Sequence, residues 1–498
     1  MTSDKVLRDT FSVCPVCLKK IKAQVVEKDG KVVIVKECDE HGHFNDTYWA
    51  RADIYHRAEQ YKKPSAKPYQ DNCPQGCGVN NCPNHVSTTV MAVIDVTNEC
   101  DLRCPICFAN ASKPPDLYRP SLEKIYGMLK FLKNQELPPL AVMFAGGEPT
   151  VRDDIVEIVK MAHELKFMIL LATNGVRMSQ DPELVKNLKK AGLNIVYLQF
   201  DGLTDAPYEK LRNVKLLPKK LRLVELCREQ DIEIILVPTV QGGINDNEVG
   251  DIIKFAAKNV DIIRGIVFQP MSFTGRTAEY VSRQNRIDNS LLAQKIEEQT
   301  NGMISEEDMF PVSVMLPPLQ IMNSFLSKSW PPFTPTPYCG LWNWILVSKQ
   351  RKDKFTPINR FLNFEAFMSD LKNLNMLIKK RKIGKLGIYM RLFLASFKSL
   401  DWGKVQREAG LLNAIKTLIQ IHTDPSYDSL GYIRRRMLLI GGMAFMDPYT
   451  FDVERAHNCV IHYMTPDNRI IPFCVYNMFY RKDVEKQFCT PRIPAKTK

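Results

Sequence analysis

The chain has 498 residues, is 45% hydrophobic and carries a formal charge of +13. That length suggests about three domains with sizeable cores, and the basic balance points to an anionic partner or to a charged, solubilising surface. No apolar run is long enough to span a bilayer and the N-terminus lacks a signal-peptide core, which predicts a reducing cytoplasmic setting where the fourteen cysteines bind metal rather than form disulfides.

Taken in chain order, Cys14-Pro-Val-Cys17 comes first, then a β-like stretch from Ala23 to Val35, then Cys38-Asp-Glu-His41. Two hairpin-borne pairs around an apolar ribbon make a tetrahedral site for one mononuclear zinc or iron. His41 is either the fourth ligand or a turn residue whose place a distant cysteine takes. So small a region is marginal alone, and a metal would stabilise it. Cys73, Cys77, Cys82 and His85 follow among prolines and glycines that expose backbone N–H groups. That group reads as an auxiliary [4Fe–4S] site or a structural zinc, with His85 as fourth ligand or strand cap.

Next, Cys100-Asp-Leu-Arg-Cys104-Pro-Ile-Cys107 closes the apolar run from Val90 to Thr97. Three thiolates at this spacing can hold one face of a [4Fe–4S] cubane and leave the fourth iron open to a cosubstrate. The alternative is zinc with a borrowed fourth ligand. Beyond it, apolar strands alternate with helical stretches, and polar or glycine residues stand at the strand ends: Gly146-Gly147-Glu148, Thr173-Asn174, Gln199 with Asp201, Thr239 and Gln269. Such alternation predicts an α/β fold with a parallel sheet and a site at the strand tips.

Later in the chain, Pro331 to Pro337 looks like a rigid connector. Residues 361–430 run apolar helix, basic block, apolar helix, which suits either a membrane surface or a helical insertion with a solvated charge run. Cys339, Cys459 and Cys474 stand beside turn or strand-end residues and are either ligands of a further cluster or buried core thiols.

Residues 88–280 resemble the radical S-adenosylmethionine (SAM) superfamily. The resemblance implies a partial (β/α)6 barrel, with Cys100, Cys104 and Cys107 as cluster ligands. It implies that Gly146, Gly147 and Glu148 hold the methionyl amine, and that Thr173, Asn174, Gln199, Asp201, Thr239 and Gln269 contact SAM or substrate. The ribbon, the second cysteine group, the CDLRCPICFANAS loop and the CVIHY and PFCVYN segments together resemble archaeal tetraether lipid synthases. That closer resemblance implies an N-terminal metal-binding and auxiliary-cluster region (1–87), a radical SAM core (88–300) and a helical, cysteine-containing C-terminal region (301–498). It implies SAM, one radical [4Fe–4S] cluster, two auxiliary clusters and one mononuclear iron or zinc as cofactors. The expected reaction joins terminal methyl carbons of archaeal diether phospholipids, with Cys459 and Cys474 holding the catalytic cluster that traps the first carbon radical. Ferredoxin or flavodoxin would donate electrons, the membrane contact would be peripheral, and nucleic acid would not be a partner. Methylation of a pterin precursor is the alternative.

Overall fold

The computed structural model describes residues 4–62, 87–112, 114–277, 281–325, 335–380, 382–410, 412, 415–416 and 434–491. It opens with an antiparallel ribbon: β1 (Lys5–Val13), β2 (Lys20–Lys28), β3 (Lys31–Cys38) and β4 (Gly42–Trp49), paired in that order. Asp29 and Gly30, at φ +48° and +72°, form the tight β2–β3 turn. Two positive φ values give it the twist a two-residue hairpin needs. Alternation in β3 turns Val32 and Ile34 inward, where α1 (Ala52–Glu59) covers them with Ile54, Tyr55 and Ala58.

The central unit runs β5 (Met91–Thr97), α2 (Leu122–Lys133), β6 (Ala141–Gly146), α3 (Ile155–Glu164), β7 (Met168–Thr173), α4 (Pro182–Lys190), β8 (Ile195–Gln199), α5 (Leu217–Glu229), β9 (Glu233–Val237), α6 (Val249–Lys258) and β10 (Ile263–Pro270). Its six strands are parallel and adjacent in chain order. They read as near-continuous apolar runs because both faces are covered. Ala92, Ile94 and Val96 of β5 face the helices, while Val93 faces a second core with Met143 and Leu170. The helices begin at polar caps: Ser121 accepts from the Lys124 amide at 3.2 Å and Asp181 from Leu184 at 3.0 Å.

The C-terminal region, expected to be helical, also supplies both edges of this sheet. β11 (Gly340–Val347) lies antiparallel to β12 (Met437–Met443), which is parallel to β10. At the other edge β13 (Ile461–Met464) runs parallel to β5 and pairs with antiparallel β14 (Ile470–Pro472). The helices α7 (Leu316–Phe325), α8 (Phe364–Lys379) and α9 (Lys385–Ser399) meet in a satellite cluster around Ile321, Met368, Leu371, Leu374 and Ile388.

The ribbon docks on residues 447–452. Ser12 donates to the Phe451 carbonyl at 2.6 Å, and Lys36 donates to the carbonyls of Pro448 (2.7 Å) and Tyr449 (3.0 Å). Arg8, Thr10 and Tyr48 converge on the buried Asp452. Burial pushes that carboxyl up, but the Arg8 charge and the hydrogen bonds outweigh it and hold Asp452 at about 2.

Candidate functional site

The three cysteines of the 100–107 loop line one cavity of about 410 Å³ at the strand tips, together with Gly146, Gly147, Glu148, Thr173, Asn174, Gln199 and Gln269. The loop is shaped from both sides. On one side Gly147 and Glu148 donate their amides to the carbonyls of Thr97 (2.7 Å) and Glu99 (2.8 Å). A Cβ on Gly146 would lie 2.1 Å from the Thr97 carbonyl oxygen, and one on Gly147 2.1 Å from that of Glu99. The glycines are there because two backbones touch. On the other side Arg276, which the sequence reading missed, exchanges backbone hydrogen bonds with Cys107 and donates its side chain to the carbonyls of Cys104 (2.7 Å) and Ala111 (2.9 Å). Burial pushes the Cys100 and Cys104 thiols up, and the neighbouring Glu148 adds to this at Cys100. Buried thiols of this kind become thiolates by binding a cation, so the donor set fits a cluster held on one face.

The polar strand tips are tied to one another. Glu148 is buried and accepts from the Thr150 amide (3.1 Å), the Thr150 hydroxyl (2.6 Å), the Thr173 hydroxyl (2.7 Å) and the Asn174 amide (2.6 Å). Asn174 donates its side chain to Asp101 at 2.6 Å. Asp201 takes a two-pronged contact from Arg212 at 2.7 and 2.9 Å and a hydrogen bond from Gln199. Arg212 also reaches the Thr239 hydroxyl at 2.9 Å. Lys220, fully buried on α5, donates to the Gln199 side-chain oxygen at 2.7 Å and to the Asn174 carbonyl. Burial pushes this lysine down to about 7. Sequence reasoning found the tips but missed Arg212 and Lys220, which lie on helices and orient them.

Cys474 lines the same cavity, as do Phe445, Phe473, Tyr463 and Trp342. Its sulfur accepts from the Met446 amide at 3.4 Å, and the Cys459 thiol donates to the Ile461 carbonyl at 3.0 Å. Cys339 accepts the Ala444 amide on its carbonyl at 3.2 Å. Burial, then the nearby Cys474 and Cys339, push Cys459 up to about 12, and burial takes Cys474 to about 11. Cys459 is electrostatically influenced by Cys339 and Cys474, and the buried Arg455 by Cys339 and Cys474.

In the ribbon, the ligand atoms of Cys14, Cys17, Cys38 and His41 all lie within 4.8 Å of one another. The Cys17–Cys38 sulfurs are 4.0 Å apart and Cys38 sulfur is 3.5 Å from His41 Nδ1. Metal–sulfur bonds of about 2.3 Å span such a set tetrahedrally. Cys73, Cys77, Cys82 and His85 lie outside the described residues.

A model of the radical SAM superfamily matches residues 94–256, and one of the HMPTM N-terminal zinc ribbon domain matches residues 6–50. The chain is 41% identical over 491 residues to the 7,8-dihydro-6-hydroxymethylpterin dimethyltransferase of Methanocaldococcus jannaschii, covering 97% of this chain and 96% of that one. It is 32% identical over 185 residues to a probable GTP 3',8-cyclase of Thermococcus kodakarensis, covering 37% of this chain and 59% of the relative. Among solved structures, Streptococcus suis SuiB bound to S-adenosylmethionine aligns with a TM-score of 0.37 and 20% identity over 44% of this chain and 48% of that one.

The near-full-length likeness to a pterin enzyme corrects the sequence reading. Coupling of archaeal lipid chains is not the supported reaction, a diether phospholipid is not the supported substrate, and the peripheral membrane contact falls with it. The physical reason is that cysteine spacing reports the cofactor, whereas the cavity wall selects the substrate. The basic and apolar run after residue 361 folds into α8 and α9, which bury Met368, Leu371, Leu374 and Ile388 together. Among the described residues no helix is long and apolar enough to cross a membrane.

Proposed function

We propose that this chain, which belongs to the radical SAM superfamily and within it to the family of the Methanocaldococcus jannaschii 7,8-dihydro-6-hydroxymethylpterin dimethyltransferase, is a radical SAM methyltransferase acting on a reduced pterin precursor. The observation that carries this reading is the 41% identity over 97% of the chain. The cofactors are SAM and a [4Fe–4S] cluster, with additional metal in the cysteine-rich ribbon. When bound, the cluster would supply the electron for cleaving SAM to methionine and a radical able to open a carbon–hydrogen bond that no side-chain base could deprotonate, and each added methyl would come from a second SAM molecule or another one-carbon donor.

The chain's own residues do the rest. Cys100, Cys104 and Cys107 are the ligands of the radical cluster, and Arg276 with the Gly146-Gly147 backbone fixes the loop that presents them. Glu148 and Thr173 lock the β6 and β7 tips, so that Asn174 stands at the mouth with its amide oriented by Asp101. Cys339, Cys459 and Cys474 are the ligands of a second cluster, where Arg455 offsets the negative charge of thiolates. Ribbon residues Cys14, Cys17, Cys38 and His41 hold a structural metal. A volume of about 410 Å³ walled by Phe108, Phe445, Phe473 and Trp342 suits a flat heterocycle, since small-ligand pockets are mostly apolar with few oriented polar groups.

The deciding experiment supplies reconstituted, reduced enzyme with SAM and 7,8-dihydro-6-hydroxymethylpterin under anaerobic conditions. Mass spectrometry should show pterin carrying one and then two added methyl groups. SAM cleavage with unmodified pterin, both with excess SAM alone and with an added reduced one-carbon donor, would overturn the reading.

A further inference from the structure

β11 and β12 place an unusual pair on the cavity wall. Leu439 and Met443 of β12 line the cavity, and Gly441 lies between them on the same face of the strand. Trp342 of β11 is the register partner of Gly441. A Cβ on Gly441 would stand 1.9, 2.3 and 2.6 Å from the indole Cε3, Cδ2 and Cζ3 atoms. The six-membered ring of the indole therefore lies on the bare glycine, in the space any side chain would take, while Trp342 itself lines the cavity. Glycine is otherwise unfavourable inside a strand, and here it marks close approach of a neighbour.

A polar edge stands beside this ring. Val267 of β10 is the register partner of Gly441 on its other side and also lines the cavity, and Gln269 follows two residues later on the same face. The Gln269 side chain donates to the Tyr197 hydroxyl at 3.1 Å. Because Gln269 occupies the acceptor side of the Tyr197 hydroxyl, its proton is left to donate. A flat apolar plate next to one donor and one acceptor is the complement of a fused heterocycle with an amide-like edge.

We propose that Trp342, seated on Gly441, is the stacking platform for the substrate's bicyclic ring, with Tyr197 and Gln269 reading the ring's polar edge. This rests on the pterin reading above. Adenine of SAM has the same chemistry, and the choice between the two rests on position. Trp342 and Gly441 belong to strands outside residues 94–256, the stretch matched by the superfamily common to SAM enzymes. A wall added outside that shared core is where a particular substrate is selected.

The test is anaerobic equilibrium dialysis of the reconstituted holoenzyme with 7,8-dihydro-6-hydroxymethylpterin and, separately, with SAM. Trp342→Ala should raise the pterin Kd roughly tenfold and Trp342→Phe about twofold, with SAM affinity unchanged in both. Pterin should also quench a smaller fraction of tryptophan emission in Trp342→Phe than in the parent, although the ligand still binds. Gly441→Ala, which displaces the indole, should weaken pterin binding as Trp342→Ala does. Unchanged pterin affinity in Trp342→Ala would overturn the platform and leave the pterin reading standing. Lost SAM affinity would reassign the platform to adenine and also overturn the inference. A parent enzyme that binds SAM but no pterin would sink the pterin reading itself.

Discussion

Arg276 and Cys107 hydrogen-bond to each other through both main-chain groups, at 2.8 Å and 2.9 Å, so the cysteine loop is paired to the segment that leaves β10. The Arg276 guanidinium then spans the loop from the Cys104 carbonyl to that of Ala111. Charge-assisted hydrogen bonds are worth about 1.5–3 kcal/mol each before relaxation. Arg276→Ala should therefore leave the loop paired but slack. Iron per chain should fall by up to one cluster and 5'-deoxyadenosine formation should drop at least tenfold. Arg276→Lys, which keeps charge but not the fork, should be intermediate. Full iron and full SAM cleavage in Arg276→Ala would show that the backbone pairing alone suffices.

Lys220 gives a pH dependence. Burial pushes it down to about 7, whereas an unfolded lysine titrates near 10.4. Between those values the unfolded chain binds a proton that the folded chain does not, so this residue's contribution to stability rises with pH, and it is lost as pH falls from 10.4 to 7. Urea unfolding at pH 7.5 and 9.5 should show this contribution, on the order of 1 kcal/mol per pH unit, as a difference between parent and Lys220→Met. The variant also strips a donor from Gln199 and from the Asn174 carbonyl, so its SAM affinity should fall several-fold. Parallel pH curves for the two proteins would count against a mostly neutral Lys220.

The ribbon metal should be felt at the far C-terminal thiols. Cys14 comes two residues after Ser12, and Cys38 two residues after Lys36, and Ser12 and Lys36 hold the 448–451 backbone. That segment follows Met446, whose amide reaches Cys474. In Cys17→Ser one mononuclear metal should be lost and the melting temperature should drop by several degrees, because metal binding is folding energy at such a site. The cluster proposed at Cys339, Cys459 and Cys474 should then become more labile to chelator while the radical cluster is unaffected. Unchanged metal stoichiometry would remove Cys17 from the ligand set.

What the sequence made legible was whatever is local. Alternating strands and helices, the C-x3-C-x2-C loop and the ribbon pairs each lie within one short stretch, and the radical SAM fold follows from them. The residues that hold these pieces do not. Arg276 contacts a loop 172 residues upstream, and Asp452 a strand 444 residues away. No periodicity announces such pairs. Gly146 and Gly147 were visible as groups admitting a ligand, and the structure adds that the Thr97–Glu99 backbone also lies against them. The β11 and β12 strands were missed because Trp342, Gly441 and Gly442 do not form an ordinary alternating strand pattern. The substrate was misread because cysteines repeat wherever the cofactor does, while the rest of the cavity lining carries no motif.

Asp95 of β5 and Arg481, which opens the helix Arg481–Phe488, form a salt bridge at 2.5 Å, with both side chains almost fully buried. Arg481 also donates to the Tyr463 hydroxyl at 3.0 Å and to the Asn477 oxygen at 3.0 Å. It thereby fastens the segment after Cys474 to the strand that leads into Cys100. Burial pushes Asp95 up and Arg481 opposes this. Removing one partner of a buried pair leaves an uncompensated charge, at about 3–5 kcal/mol, whereas replacing both by apolar groups of similar shape is far milder. Arg481→Met should destabilise the protein by that amount in urea, and Asp95→Leu by a comparable amount. The double variant should regain most of the loss in stability. It should not regain activity if the pair's function is to hold the two cysteine-bearing segments in register. A double variant with parental turnover would reduce the ion pair to a packing role, and additive stability losses in the cycle would show that Asp95 and Arg481 do not act as a unit.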